Sequence, residues 1–145
     1  MNPIEQIIID AVNAARRCDD LEPLELDGHL AQIAAAHSQD MVNRNYFHHI
    51  NPDGEDPTQR AIRYGYQLFK PGLYDIDEVI ARVMVGSHGQ IGEITNDPDD
   101  IASECMLMWL DHGPHEDIIS EWSATKIGVG VARKENWHYI TVNFY

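Results

Sequence analysis

The end of the chain constrains the fold most. Ile127-Gly128-Val129-Gly130-Val131 alternates apolar with small residues, and Lys134-Glu135-Asn136 turns the chain. Trp137 to Phe144 then alternates again, His138, Ile140, Val142 and Phe144 against Tyr139, Thr141 and Asn143. Two alternating runs joined by a short polar turn read as an antiparallel hairpin. His138 is expected to be an edge or surface residue. A hairpin cannot stand alone, and its apolar face has to be covered by other elements.

The cover comes from upstream. After Pro3, the residues Ile4, Ile7, Ile8, Ala11, Val12 and Ala15 recur at helical spacing, with Arg16 and Arg17 in the last turn. Asp27 is a candidate N-cap for a second helix over residues 28–43, and Pro23 interrupts the connection before it. The apolar stripe of that helix includes His37, which reads as a hydrogen-bonded core histidine. Asp56 and Pro57 start a third helix that Gly65 closes. Residues 77–85 fit a helix through Val79, Ile80, Val83 and Met84, although they are rich in β-formers. Gly86 to Gly89 forms a loop with an exposed His88, and residues 91–95 a short strand carrying Glu93 among apolar neighbours. A buried carboxylate there requires a cation, a histidine or several donors. Residues 101–109 form the last long helix.

The candidate chemistry lies in histidines at element boundaries. Tyr46-Phe47-His48-His49 runs into the turn residues Pro52-Asp53-Gly54. Adjacent side chains diverge, so one of His48 and His49 at most faces a given site. Trp109-Leu110-Asp111-His112-Gly113-Pro114-His115 breaks a helix and restarts it, with a histidine on each side of the break. That pattern suits either a metal or acid–base site, or a solvated acidic helix junction. HExxH spacing, a nucleophile elbow and a cysteine placed with a histidine are all absent, and no base lies beside Ser38 or Ser123 in sequence.

Partners are narrowed by charge. Ten Lys and Arg stand against twenty-four Asp and Glu, a net charge of −14, which repels phosphate backbones and anionic membranes. Nucleic acid is excluded as a partner, and no apolar run is long enough for a membrane span. With 145 residues, 43% of them hydrophobic, the chain is expected to form a single domain over 1–145. The acidic start, MNPIEQIIIDAV, has no basic n-region or cleavage site, so either the chain stays inside the cell or its export signal lies outside this sequence. Cys18 and Cys105 are too few for a disulfide framework, and Cys105 reads as a small core residue.

In order along the chain, several blocks resemble the superfamily of cysteine-rich secretory proteins, antigen 5 and pathogenesis-related 1 proteins (CAP), in particular its prokaryotic SCP-like domains. They are Val12-Asn13 with Arg16, Leu21-Glu22-Pro23-Leu24, Ala36 to Met41, Tyr46 to His49 with Pro52-Asp53-Gly54 and Arg60, Gly92-Glu93-Ile94, Trp109 with Gly113-Pro114-His115, and the closing hairpin. The resemblance covers nearly the whole chain. It implies an α+β fold, a three-layer αβα sandwich around a small, mostly antiparallel sheet, with a cavity lined by two histidines and two acids. Carried over residue by residue, the histidines fall on His49 and His115 and one acid on Glu93. The second acid's position holds His112, where prokaryotic members often have serine. Ile94 replaces the Asn that usually follows the glutamate, and the segment between Tyr66 and Gly92 is longer than in compact members. This segment, with Leu68, Phe69, Leu73 and Tyr74, is a candidate lid or rim.

His49, Glu93, His112 and His115 form a ligand set suited to zinc or another divalent metal. Three readings follow: a metal-binding domain; a non-enzymatic binding module for a lipid, a glycan or a protein partner; and a metal-dependent hydrolase with Glu93 as general base. The family's habit also implies a secreted, extracellular protein.

Overall fold

The computed structural model describes residues 1–68, 75–111 and 113–145. Helix α1 (Pro3–Cys18) starts at a capping box in which Asn2 and Glu5 satisfy each other's backbone N–H groups. Strand β1 (Glu25–Leu26) precedes α2 (Gly28–Arg44), which Asp27 caps by accepting from the N–H groups of His29 and Leu30. Asn45 ends α2 in the left-handed region. Helix α3 (Pro57–Arg63) has a second capping box, Asp56 with Gln59. Next come β2 (Asp77–Met84), β3 (His88–Gly89), β4 (Gly92–Glu93), α4 (Pro98–Leu110), α5 (Gly113–Ile119), β5 (Lys126–Lys134) and β6 (Trp137–Phe144).

The main sheet has the order β1-β5-β6-β2, with β1 parallel to β5 and the other pairs antiparallel. The C-terminal hairpin is therefore its centre. The largest core cluster joins Ile8 and Val12 of α1, Ile101 and Cys105 of α4, and one side of the sheet, Val79, Ala81, Val129, Ile140 and Val142. Against the other side lie α2 and α3, with Leu30, Ile33 and Ala61 in one cluster and Met41, Ile80 and Tyr139 in another. This is the three-layer α+β sandwich that the resemblance implies.

Two glycines set the spacing of the α2 layer. A methyl group at Gly128 would run into the backbone of Leu30 and Ala31, and one at Gly130 into that of Ala34 and Ala35. Alternation of small with apolar residues in β5 is thus a seat for a helix backbone. Ser38 on α2 completes the seat: its hydroxyl donates to the Gly130 carbonyl (2.9 Å) and lies 2.8 Å from the Thr141 hydroxyl.

Three expectations need correction. Residues 77–84 are a strand, not a helix. Both faces of β2 pack against helices, so its apolar pattern loses the alternation of a half-solvated strand. His138 is 6% exposed, because β6 is central to the sheet. Glu93 is exposed on the β3–β4 hairpin, in register with His88, while Ile94 beside it turns into the core. Of the candidate rim, Leu68 packs against the Leu30 cluster; Phe69, Leu73 and Tyr74 lie outside the described residues.

Candidate functional site

On β2, alternate residues share a face, so Glu78 points to the same side as Ile80, toward α2 and α3. Three elements meet its carboxylate. Arg60 of α3 donates from Nη2 to Oε1 (3.0 Å) and Oε2 (2.9 Å), and also to the His49 carbonyl (2.9 Å). His49 donates from Nδ1 to Oε1 (2.9 Å). His37 of α2 brings Nε2 to 3.9 Å of the same oxygen and donates to the His48 carbonyl (3.0 Å). The Glu78 and His37 side chains are fully out of solvent and that of Arg60 nearly so, whereas the His49 side chain is 41% exposed.

This is a buried ion pair with one imidazole at its mouth. Bound through Nδ1, the His49 ring is fixed in tautomer and orientation, which leaves Nε2 as the nitrogen available to a ligand. Burial pushes the His37 imidazole below its ordinary pKa, outweighing the pull of Glu78, and the Arg60 charge adds to the depression. His37 is thus a neutral core histidine, as its place on the apolar stripe of α2 predicted. His48 diverges from its neighbour and accepts from the Ile50 N–H at Nδ1 (2.9 Å). The loop beyond is stapled by Asn51, whose side-chain oxygen accepts from the N–H groups of Asp53 (3.1 Å) and Glu55 (2.9 Å). Nε and Nη1 of Arg60, and both amide atoms of Asn143 opposite Glu78 in the sheet, are buried without a hydrogen-bond partner among the described residues.

Of the four residues expected to hold a metal, three are described. His49 is in place. His115 lies in the first turn of α5, half-buried. His112 lies outside the described residues. Glu93 is on the exposed hairpin, and Glu78 occupies the position beside His49 instead. Among the described residues, no group of three or more His, Cys, Asp and Glu is arranged to hold a metal ion. Donor chemistry agrees in part with a metal: His49 offers an imidazole nitrogen, but the Glu78 carboxylate is committed to a guanidinium that competes with any cation. The sequence held one signal for Glu78. It is the carboxylate that opens the β-rich run from Val79 to Val85, and strand geometry places it on the face that α2 and α3 cover.

Beside the cluster, between α2 and α3, runs a cleft of about 850 Å³ whose lining includes His37 and Arg60. Its walls carry ion pairs: Arg44 bridges Asp40 (2.7 Å) and Asp53 (2.9 Å), and Arg63 holds Glu55 (2.7 Å). Hydrogen bonding to Arg44 holds the Asp40 carboxyl below its usual pKa. Nucleophiles are poorly placed. Ser38 is buried under α2, and Cys105 is fully buried, which pushes its thiol pKa up. Both cysteines are free thiols.

The model of the cysteine-rich secretory protein family, CAP, matches residues 9–144. The chain belongs to this family. Among curated proteins, this CAP domain is 29% identical over 126 residues to the uncharacterized protein YkwD of Bacillus subtilis (strain 168), a match that spans 87% of the chain and 41% of YkwD. Among solved structures, an extracellular protein containing an SCP domain from Bacillus anthracis str. Ames is 27% identical, with a TM-score of 0.75 over 97% of the chain and 39% of that protein. The structure of NaASP2 with Zn2+ has a TM-score of 0.67 over 99% of the chain and 80% of that protein; at 13% identity it attests to the fold alone. The chain spans less than half the length of the two Bacillus proteins. No helix among the described residues is long and apolar enough to cross a membrane.

Proposed function

We propose that this CAP domain is a binding domain whose ligand is taken through Nε2 of His49, and that a divalent transition metal, zinc first, is the ligand class it suits best. One observation carries the reading: a buried carboxylate, Glu78, fixes the His49 imidazole by its inner nitrogen and leaves the outer one free. A carboxylate behind a ligating histidine raises ligand basicity and sets ring orientation. Glu78 acts here as the holder of the ligand. His115 is the second imidazole in this proposal, with His112 as a third. The crystal structure of NaASP2 with Zn2+ supports zinc as a ligand of the fold. The Bacillus anthracis relative, described as extracellular, supports export of this chain.

The polar cleft between α2 and α3 favours a second reading, a binding module for a glycan or a protein partner. Its lining of amides, carboxylates and guanidinium groups suits hydroxyls and peptide groups better than an acyl chain. The hydrolase reading has no such support, since Glu93, its proposed base, lies on the exposed β3–β4 hairpin.

Zinc content after chelation and reloading, measured by mass spectrometry, tests the first reading. About one zinc per chain is expected for the parent and none for His49→Ala. Glu78→Gln should lower affinity by about 10- to 100-fold while the ring remains present. A parent that binds no zinc, or a His49→Ala variant that binds as well as the parent, would sink the metal reading and leave the cleft.

A further inference from the structure

The one arginine on β2, Arg82, differs from most of the others in what holds it. Apart from Arg17, exposed in the last turn of α1, the others are held: Arg44, Arg60 and Arg63 each hold a carboxylate, and Arg16 and Arg133 donate to backbone carbonyls. Arg82 does neither among the described residues, in a chain with twenty-four acids to ten bases. Its guanidinium lies over the rings of Phe47 (5.1 Å to the centroid) and Trp137 (5.3 Å). These rings are themselves anchored: Phe47 packs edge-on against Tyr139, and Tyr139 is opposite Arg82 in the sheet. A guanidinium that rests on aromatic faces leaves the N–H groups of its own plane able to meet a planar acceptor.

Arg82 is the one Lys or Arg side chain in its surroundings. Arg82 and Trp137 line a hollow of about 220 Å³ together with His88. Glu104 reaches the same hollow, but its two oxygens are taken by the N–H groups of Gln90 (3.0 Å) and Ile91 (3.1 Å). Glu93, in register with His88, is the other carboxylate close by, and it faces solvent. Arg82 lies on the same face of β2 as Glu78, about 13 Å further along at the usual rise per residue. Phe47 is two residues from His49, so this site adjoins the first along one surface.

We infer that Arg82, set against Phe47 and Trp137, is a binding site for a carboxylate group of a ligand. A single negative charge suits it better than a phosphate dianion, because Glu104 and Glu93 lie close by and one guanidinium balances one charge. The carboxylate can belong to a peptide terminus or to an acidic sugar, and both offer the same planar, two-oxygen acceptor for a bidentate contact.

The test is an NMR titration of the whole chain at low salt, following the Arg82 Nε–H signal, with N-acetylglycine, glucuronate and inorganic phosphate as separate probes. The signal is assigned by its loss in R82Q, which removes an exposed charge and leaves the core intact. A saturating shift with a Kd on the order of millimolar is expected for at least one carboxylate, and the tighter of the two identifies the source. Binding followed on the Trp137 indole N–H should weaken by about tenfold in R82Q and by a few-fold in F47L, which removes one ring. It should also fall as salt is raised. No saturation with either carboxylate would overturn the inference. So would equal affinity in R82Q, or phosphate binding tighter than both.

Discussion

Oε1 of Glu78 stands 2.9 Å from Nδ1 of His49, yet the carboxylate is wholly buried while the imidazole is nearly half exposed. One side of the pair belongs to the core and the other to the surface. Charge on the inner side is balanced by Arg60, which donates to both carboxylate oxygens. Replacing Glu78 by Gln keeps the shape but strands the guanidinium in a dry site. We expect a loss of about 3 kcal/mol in urea-monitored unfolding. A loss below 1 kcal/mol, on the same order as an exposed ion pair, would mean that the pair is hydrated in solution.

His37 predicts a pH dependence. Its native pKa is lowered by burial from an ordinary value of 6.5. Below that value the unfolded chain binds the proton and the native chain does not, so stability falls as pH drops from about 6.5 toward the depressed native pKa. Above 6.5 both states are neutral and the contribution is constant. His138, lowered mainly by burial and further by Arg133, acts in the same direction. Unfolding midpoints measured between pH 7.5 and 5 should therefore fall less steeply in His37→Asn than in the parent. Parallel curves would show that His37 titrates normally in the native state.

Gly130 should tolerate no side chain. Its substitution by Ala drives a methyl group into the backbone of α2, which cannot move without unseating Ser38 from the Gly130 carbonyl. A loss of about 3 kcal/mol or more, or failure to fold, is expected from this overpacking. Gly113→Ala, with open space around the added methyl, is the control and should shift the melting temperature little.

Arg16 is a buried hub. It donates to the carbonyls of Glu22, Ile119 and Glu121 at 2.9 Å and to that of Ala124 at 3.5 Å, tying α1 to the segment between α5 and β5. Arg16→Met preserves the bulk but leaves those buried carbonyls unsatisfied. Thermal unfolding should show a cost of about 2–4 kcal/mol, from bonds to a charged group that are each worth about 1.5–3 kcal/mol gross of rearrangement. An unchanged midpoint would mean that water replaces the guanidinium.

Helices α1 and α2 were legible because Pro3 and Asp27 each precede an apolar stripe that becomes core, and α3 because Asp56 and Pro57 open it and Gly65 follows its end. The closing hairpin was legible because its turn chemistry and alternation coincide. β2 was not. In a sheet covered on both faces, Val79, Ile80 and Ala81 are all buried, and Val79, Ile80, Val83 and Met84 imitate the spacing of a helix. With the strand read as a helix, Glu78 had no face assigned to it, and Glu93, beside a glycine and an isoleucine, took its role in the sequence reading. The loop of aromatics and turn residues pointed to one of His48 and His49, and the family resemblance to His49. Its partner was not, because the contact joins positions 29 apart in sequence and is set by sheet register.

Among the described residues, sheet order makes β2 an edge strand beside β6, and Trp109 of α4 donates its indole N–H to the Ile80 carbonyl at 2.9 Å. The strand that carries Glu78 and Arg82 is thereby pinned by a helix from the opposite layer, through an indole that lines neither site. Rigidity of the ligand-facing surface can thus be adjusted from behind. Shortening the indole would let the strand breathe, exposing its amides to exchange with solvent before the rest of the sheet, while every group that faces a ligand stays chemically the same.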